Sequence, residues 1–110
     1  MIVKVSVANV NGDVVPTLED FEELYDIRVP INLNHQTAER RERLISETCD
    51  SIVRPLVIAT GSVPSSGQIN WGGGSHDVAW RRYDFGSGDR IWIRVGLVDS
   101  EAGLGFRISR

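Results

Sequence analysis

Lysine is almost missing from this chain: of its 12 basic residues, Lys4 is the one lysine and arginine supplies the rest. Cysteine is as scarce. Cys49 has no partner with which to close an internal disulfide, which fits a reducing compartment and leads to the expectation of a cytoplasmic protein. Two histidines, His35 and His76, stand at unrelated spacing and give no zinc signature, so no metal or other cofactor is expected. No apolar run approaches the ~20 residues of a membrane-spanning helix. The opening Met-Ile-Val-Lys-Val-Ser-Val alternates like a strand and lacks the charged-then-apolar order of a secretory leader. A net charge of −3 is too small to name a partner by itself.

What the chain does have is a pair of β-rich runs near its C-terminal end. His76–Phe85 and Arg90–Val98 carry β-branched and aromatic residues and are separated by Gly86-Ser87-Gly88-Asp89, the pattern of a β-hairpin. If Ser87-Gly88 is a two-residue loop, Tyr83 faces Trp92 and Arg81 faces Arg94. Val78, Trp80, Ile91, Ile93, Val95 and Leu97 then share a core face, and Arg81, Tyr83, Phe85, Arg90, Trp92 and Arg94 share the opposite one. A slip of one residue would exchange the faces, so the assignment hangs on the turn. A turn at Ser100–Gly103 and the alternating Leu104–Ile108 predict a third strand.

Val3, Val5 and Val7 predict a half-buried strand, and Asn11-Gly12 predicts a hairpin returning through Val14-Val15 until Pro16 ends it. Thr17 reads as the N-cap of a short acidic helix over about residues 18–25, with Leu18, Phe21, Leu24 and Tyr25 on one side. Ile27, Val29, Ile31 and Leu33 alternate as a strand whose Pro30 suits an edge. The main helix is predicted over about residues 36–53, capped by Asn34 or Thr37. Ala38, Ile45, Cys49, Ile52 and Val53 form its apolar stripe, and Pro55 stops or kinks it. This places Cys49 as a buried structural thiol. Leu56–Ala59 leans to strand, and Gly61–His76 reads as a long Gly/Ser-rich loop. The class is α+β: one domain over residues 1–110, an antiparallel or mixed sheet of about five or six strands, and the main helix packed on one face.

No nucleophile, base and orienting group are brought together by spacing, so the reading leans away from an enzyme and assigns no catalytic residue. Gly72-Gly73-Gly74-Ser75-His76 leads into a strand and lacks a lysine, unlike a phosphate-cradling loop. Two other features are candidates for binding. Glu19, Asp20, Glu22, Glu23 and Asp26 place five carboxylates within eight positions, either a solvated face or a patch for a basic partner. Arg81, Tyr83, Trp92, Arg94 and Arg107 would combine guanidiniums with stacking surfaces on an open sheet face. Residues 1–55 carry 6 basic and 10 acidic side chains, while residues 56–110 carry 6 and 5, a polarity that suits association with another protein or with further copies of the chain.

The first functional expectation is therefore a small non-enzymatic protein-binding module, such as an inhibitor, an immunity-type protein, a phage accessory protein or an assembly subunit. It would use the Arg/aromatic sheet face, the acidic helix, or both. The alternatives are a single-stranded nucleic-acid binder using the same face, which is less favoured, and a small enzyme using His76 and Asp77. No membrane partner is expected.

Overall fold

The computed structural model describes residues 1–10, 14–67, 69–72, 76–86 and 88–99. Six strands form one antiparallel sheet, and one long helix covers part of one face, so the α+β class holds. The strands are β1 (Ile2–Asn9), β2 (Glu22–Arg28), β3 (Ser65–Ser66), β4 (Asn70–Trp71), β5 (Val78–Asp84) and β6 (Arg90–Val98). The helix is α1 (Ala38–Thr60). Their order across the sheet is β2-β1-β6-β5-β3, with β4 also pairing β5.

The two central strands, β1 and β6, are the most apolar, because both of their edges and one of their faces are covered. Val3, Val5, Ile93, Val95 and Leu97 meet Ile45, Cys49 and Val53 of the helix in one core, joined by Ala79, Tyr83 and Phe85. Burying each large apolar side chain contributes about 1.5–3 kcal/mol. Among the described residues, no helix is long and apolar enough to cross a membrane.

Several expectations are corrected. β1 pairs with β2 and β6, not with Val14-Val15, which lie outside any strand; Asn11 and Gly12 fall outside the described residues. The acidic helix over 18–25 is instead a single 3-10 turn, Leu18–Asp20, followed by strand β2. The Asp20 carboxylate accepts from Thr17 N at 2.7 Å and from Thr17 Oγ1 at 3.1 Å, closing one turn. A continuing helix would place Glu19 beside Glu22 and Glu23 at repelling spacing. The strand instead gains a ladder with β1. The strand expected from Ile27 therefore ends at Arg28, and Pro30 lies beyond it.

The helix begins where Thr37 Oγ1 accepts from Arg40 N at 3.2 Å, while Asn32 caps the short 3-10 turn Leu33–His35. It runs through Pro55 to Thr60, absorbing Leu56–Ala59, and stops at Gly61. Gly61 sits at φ 68, a left-handed conformation natural to glycine, and its N–H bonds to Val57 O at 2.9 Å. Pro55 forfeits one helical bond, but the extra turns bring Leu56 and Val57 against the core. The stretch after the helix is not strandless: Ser65 and Ser66 pair with Asp84 and Tyr83, and Asn70 and Trp71 with Trp80 and Ala79. At Gly72 an added Cβ would come 3.1 Å from Trp80 Cζ3, so the close passage over that indole favours glycine.

The hairpin register is one residue away from the expected one. Asp84 faces Arg90, Tyr83 faces Ile91, Arg82 faces Trp92 and Trp80 faces Arg94. The loop spans three positions, 86 to 88, with Phe85 N bonded to Asp89 O, Gly88 N to Phe85 O, and Gly88 at φ 91. A turn closed by a left-handed glycine adds the residue that shifts the register. Assignments on β6 therefore stand, and those on β5 are exchanged. The proposed third strand at 104–108 lies outside the described residues.

Candidate functional site

β2 is the outermost strand on its side of the sheet, and it is exposed along its whole length. Its register with β1 sets Val3 opposite Ile27, Lys4 opposite Asp26 and Val5 opposite Tyr25. Tyr25 and Ile27 thus share the face of Val3 and Val5, the side on which the helix packs. The helix packs mainly against β6, and Tyr25 stays 44% and Ile27 40% exposed. Leu24 is the extra residue at an irregularity between the Val5–Tyr25 and Ser6–Glu23 pairs, and it is 50% exposed. Beyond it, Glu23 stands on the outer face and Glu22 on the helix side.

Exposed apolar side chains gather here. Of the nine large hydrophobic residues standing exposed among the described residues, seven lie between Val14 and Ile31; Ile58 and Val63 are the other two. All five carboxylates of the acidic cluster lie in the same segment. Asp26 Oδ2 meets Lys4 Nζ at 3.4 Å, an ion pair about half exposed on both sides and so weak. Asp20 is engaged by Thr17. Glu19, Glu22 and Glu23 have no cation beside them among the described residues.

The main chain of β2 adds a second feature. Met1 N donates to Val29 O at 3.0 Å, and Val29 N donates back to Met1 O at 2.9 Å, so this couple is a doubly bonded pair. In an antiparallel ladder such couples alternate with unbonded ones. Val3–Ile27 and Val5–Tyr25 are therefore bonded, and Ile2–Arg28 and Lys4–Asp26 are not. The N–H and C=O of Asp26 and Arg28 consequently point away from the sheet, toward the free edge.

The Arg/aromatic set is not brought together. Because of the register shift, Arg81 and Tyr83 face the helix, while Trp92 and Arg94 lie on the outer face; Arg107 lies outside the described residues. Tyr83, at 3% exposure, and Trp92, at 6%, present no open stacking surface. Arg81 is occupied structurally: Nε donates to Gly67 O at 3.2 Å and Nη2 to Ser66 Oγ at 2.9 Å, and its guanidinium lies 5.5 Å from the Tyr83 ring centre. It fastens the segment after the helix onto β5. Nη1 also lies 3.9 Å from Asp50 Oδ1. Arg94 lines a small, mainly apolar slot of about 170 Å³ with Trp80, Val15, Pro16, Leu18 and Phe21. The segment before β2 thus lies over the outer face, though its acidic residues form no ion pair with Arg94 among the described residues.

Cys49 and Tyr83 sit under the helix. Burial pushes the Cys49 thiol up to about 11, opposed in part by the nearby Arg81 charge. Burial likewise raises the Tyr83 phenol above its ordinary range, with Cys49 next in effect. A thiol held protonated is a poor nucleophile. His76 takes a left-handed backbone at φ 60, packs its ring 5.2 Å from Trp71, and brings Nδ1 within 2.7 Å of Glu42 Oε2, an ion pair while the ring is protonated. The contact ties the strand-leading loop to the helix. Among the described residues no three metal-ligating side chains converge.

Sequence reasoning found the acidic residues but placed them on a helix, where the apolar residues between them read as a buried stripe. The signal for a strand was present in the alternation of Tyr25, Ile27 and Val29. Comparison with protein-family models, with characterised proteins and with solved structures finds no match for this chain.

Proposed function

We propose that this protein is a small protein-binding module and that its docking surface is the segment from Val14 to Ile31, centred on β2. One observation carries the reading: most of the exposed large apolar side chains among the described residues, and the carboxylates without a neighbouring cation, fall in the one segment that contains β2. Scattered apolar residues on a surface need no explanation, but their concentration in one short segment beside charge points to an interaction site. The partner is basic, because Glu19, Glu22 and Glu23 lack neighbouring cations and like charge would repel an acidic surface.

The test is a pull-down from source lysate after nuclease treatment, run with the parent chain and with a Leu24→Asp/Ile27→Asp double variant. Both side chains stand at the surface, so the variant keeps its core. A protein retained stoichiometrically by the parent and lost by the variant supports the reading. Equal retention by both chains, or retention abolished by nuclease, overturns it.

A further inference from the structure

We infer that the partner binds by adding a strand to the free edge of β2, and that the strand recognised alternates basic and apolar residues. This rests on reading the same surface as a docking site, and it adds the mode of binding and the chemistry of the segment bound.

The edge has the parts such pairing needs. The N–H and C=O of Asp26 and Arg28 point outward by the alternation of the β1–β2 ladder, which the two hydrogen bonds between Met1 and Val29 set in phase. Edge strands in native proteins are commonly blunted by charged side chains, above all lysine, by proline, by a bulge or by a cover. β2 carries charged side chains and the Leu24 irregularity, but it has no proline or lysine, Pro30 comes two residues too late, and nothing covers the strand among the described residues. The Leu24 irregularity interrupts the regular ladder toward its start, so the open register is centred on Tyr25–Arg28.

The side chains then dictate what the added strand must carry. Side chains of neighbouring strands in register share a face. On the helix side the newcomer would lie beside Tyr25 and Ile27, which are apolar and 44% and 40% exposed, so its residues there are aliphatic or aromatic. On the outer side it would lie beside Glu23 and Asp26, which call for lysine or arginine, and beside Arg28 at the end of the strand, so its basic residues belong toward the Glu23 end. Period-two alternation of basic and apolar residues follows from the two faces of a single strand. A second copy paired about Ile27 would set Asp26 opposite Arg28 but would offer Glu23 no cation, whereas a basic segment reaches both Glu23 and Asp26.

The probe is a synthetic peptide of alternating lysine and valine, compared with a peptide of the same composition in which lysines and valines form two blocks. Binding to the full chain is measured by calorimetry at low and at high salt. We expect the alternating peptide to bind more tightly than the block peptide, with an affinity that falls as salt rises. Asp26→Asn and Asp26→Pro both remove the carboxylate, but the proline also removes an outward N–H, one that β1 does not use. The proline variant should bind about tenfold more weakly than the asparagine variant, the loss of roughly one net hydrogen bond. N-methylation of alternate residues of the peptide, which leaves the protein untouched, should abolish binding in one phase and spare it in the other.

If Asp26→Pro binds like Asp26→Asn and neither methylation phase matters, strand addition is wrong. Should the Leu24→Asp/Ile27→Asp variant still lose the peptide in that case, the docking surface survives without it. If that variant also binds normally, both readings fall. A dimer of the protein alone that Asp26→Pro dissolves would replace the basic partner with a second copy and overturn the proposal.

Discussion

Asp84 stands directly opposite Arg90 across the β5–β6 ladder, and its Oδ1 accepts from Arg90 Nε at 2.6 Å. The other oxygen of the same carboxylate lies 3.2 Å from Arg82 Nε. One half-buried carboxylate thus holds two guanidiniums beside the turn, in a register that a two-residue loop would not allow. Replacing Asp84 by Asn removes the charge that both guanidiniums face. We expect a loss of about 1–2 kcal/mol, since charge-assisted hydrogen bonds exceed the worth of exposed ion pairs. For a domain of this size that lowers Tm by several degrees, on the order of 4–8 °C per kcal/mol. A melting curve unchanged from the parent at low salt would show that the carboxylate does not anchor the turn.

Gly88 isolates the backbone contribution to the same turn. Its φ is 91 and nothing lies within 4 Å of where a Cβ would be. Gly88→Ala therefore introduces no clash with a neighbour, only an unfavourable backbone conformation, and should cost about 1 kcal/mol or more in urea unfolding. Gly88→Asn should cost less, because asparagine tolerates the left-handed region. Equal stability of the alanine variant and the parent would contradict the three-residue turn.

Pro55 offers a substitution of opposite sign. It stands exposed inside α1, where it can neither donate to Ser51 O nor avoid crowding the preceding turn. Pro55→Ala should raise the urea midpoint, with a gain in unfolding free energy of up to the ~3 kcal/mol separating the two residues in helix interiors. Part of that gain is offset by the greater freedom of the unfolded alanine chain. A lowered midpoint would mean that the helix beyond Ile52 depends on the geometry proline imposes.

Cys49 and Tyr83 make the fold sensitive to alkali. Burial raises the Cys49 thiol from 9.0 to about 11 in the folded protein, and raises the Tyr83 phenol in the same direction. Between the unfolded and folded values the native state binds more protons, so stability must fall as pH rises. It should be unaffected by these groups below about pH 8 and decline from about pH 9 through 11. Urea midpoints at pH 7, 9 and 10.5 check this, and Cys49→Ala should flatten the thiol's share of the decline. Reaction of native Cys49 with a thiol reagent at neutral pH should be far slower than in the unfolded chain, and an equal rate would show that the thiol is not buried.

Local chemistry made much of the architecture legible. The strand at Val3–Val7 and the helix over about residues 36–53 followed from periodicity, because each element carries its own pattern of buried positions. Cys49 on the buried side of the helix followed from the same stripe. The end of the helix was legible in Gly61, but Pro55 drew attention from it. A proline costs a bounded amount that tertiary contacts of Leu56 and Val57 can outweigh.

The acidic segment shows the limit of that local reading. Leu18, Phe21, Leu24 and Tyr25 fit helical spacing, and Tyr25, Ile27 and Val29 fit a strand, so the two periods overlap at Tyr25. The choice lay with β1, whose free edge supplies a ladder that no helix of that length could match. The Arg/aromatic set failed for a similar reason. Its membership on one face depended on the loop length between Phe85 and Asp89, and a single added residue carried Arg81 and Tyr83 to the helix side.

The sequence by itself determined the class of the fold, the site of the main helix, and the presence of a dense acidic cluster, because these rest on residues close together in the chain. Tertiary structure alone decided which strands are neighbours, which face each arginine takes, and that the acidic cluster forms an open edge. Pairings across long separations depend on competition among all the available edges and faces of the chain. No local pattern encodes the outcome of that competition.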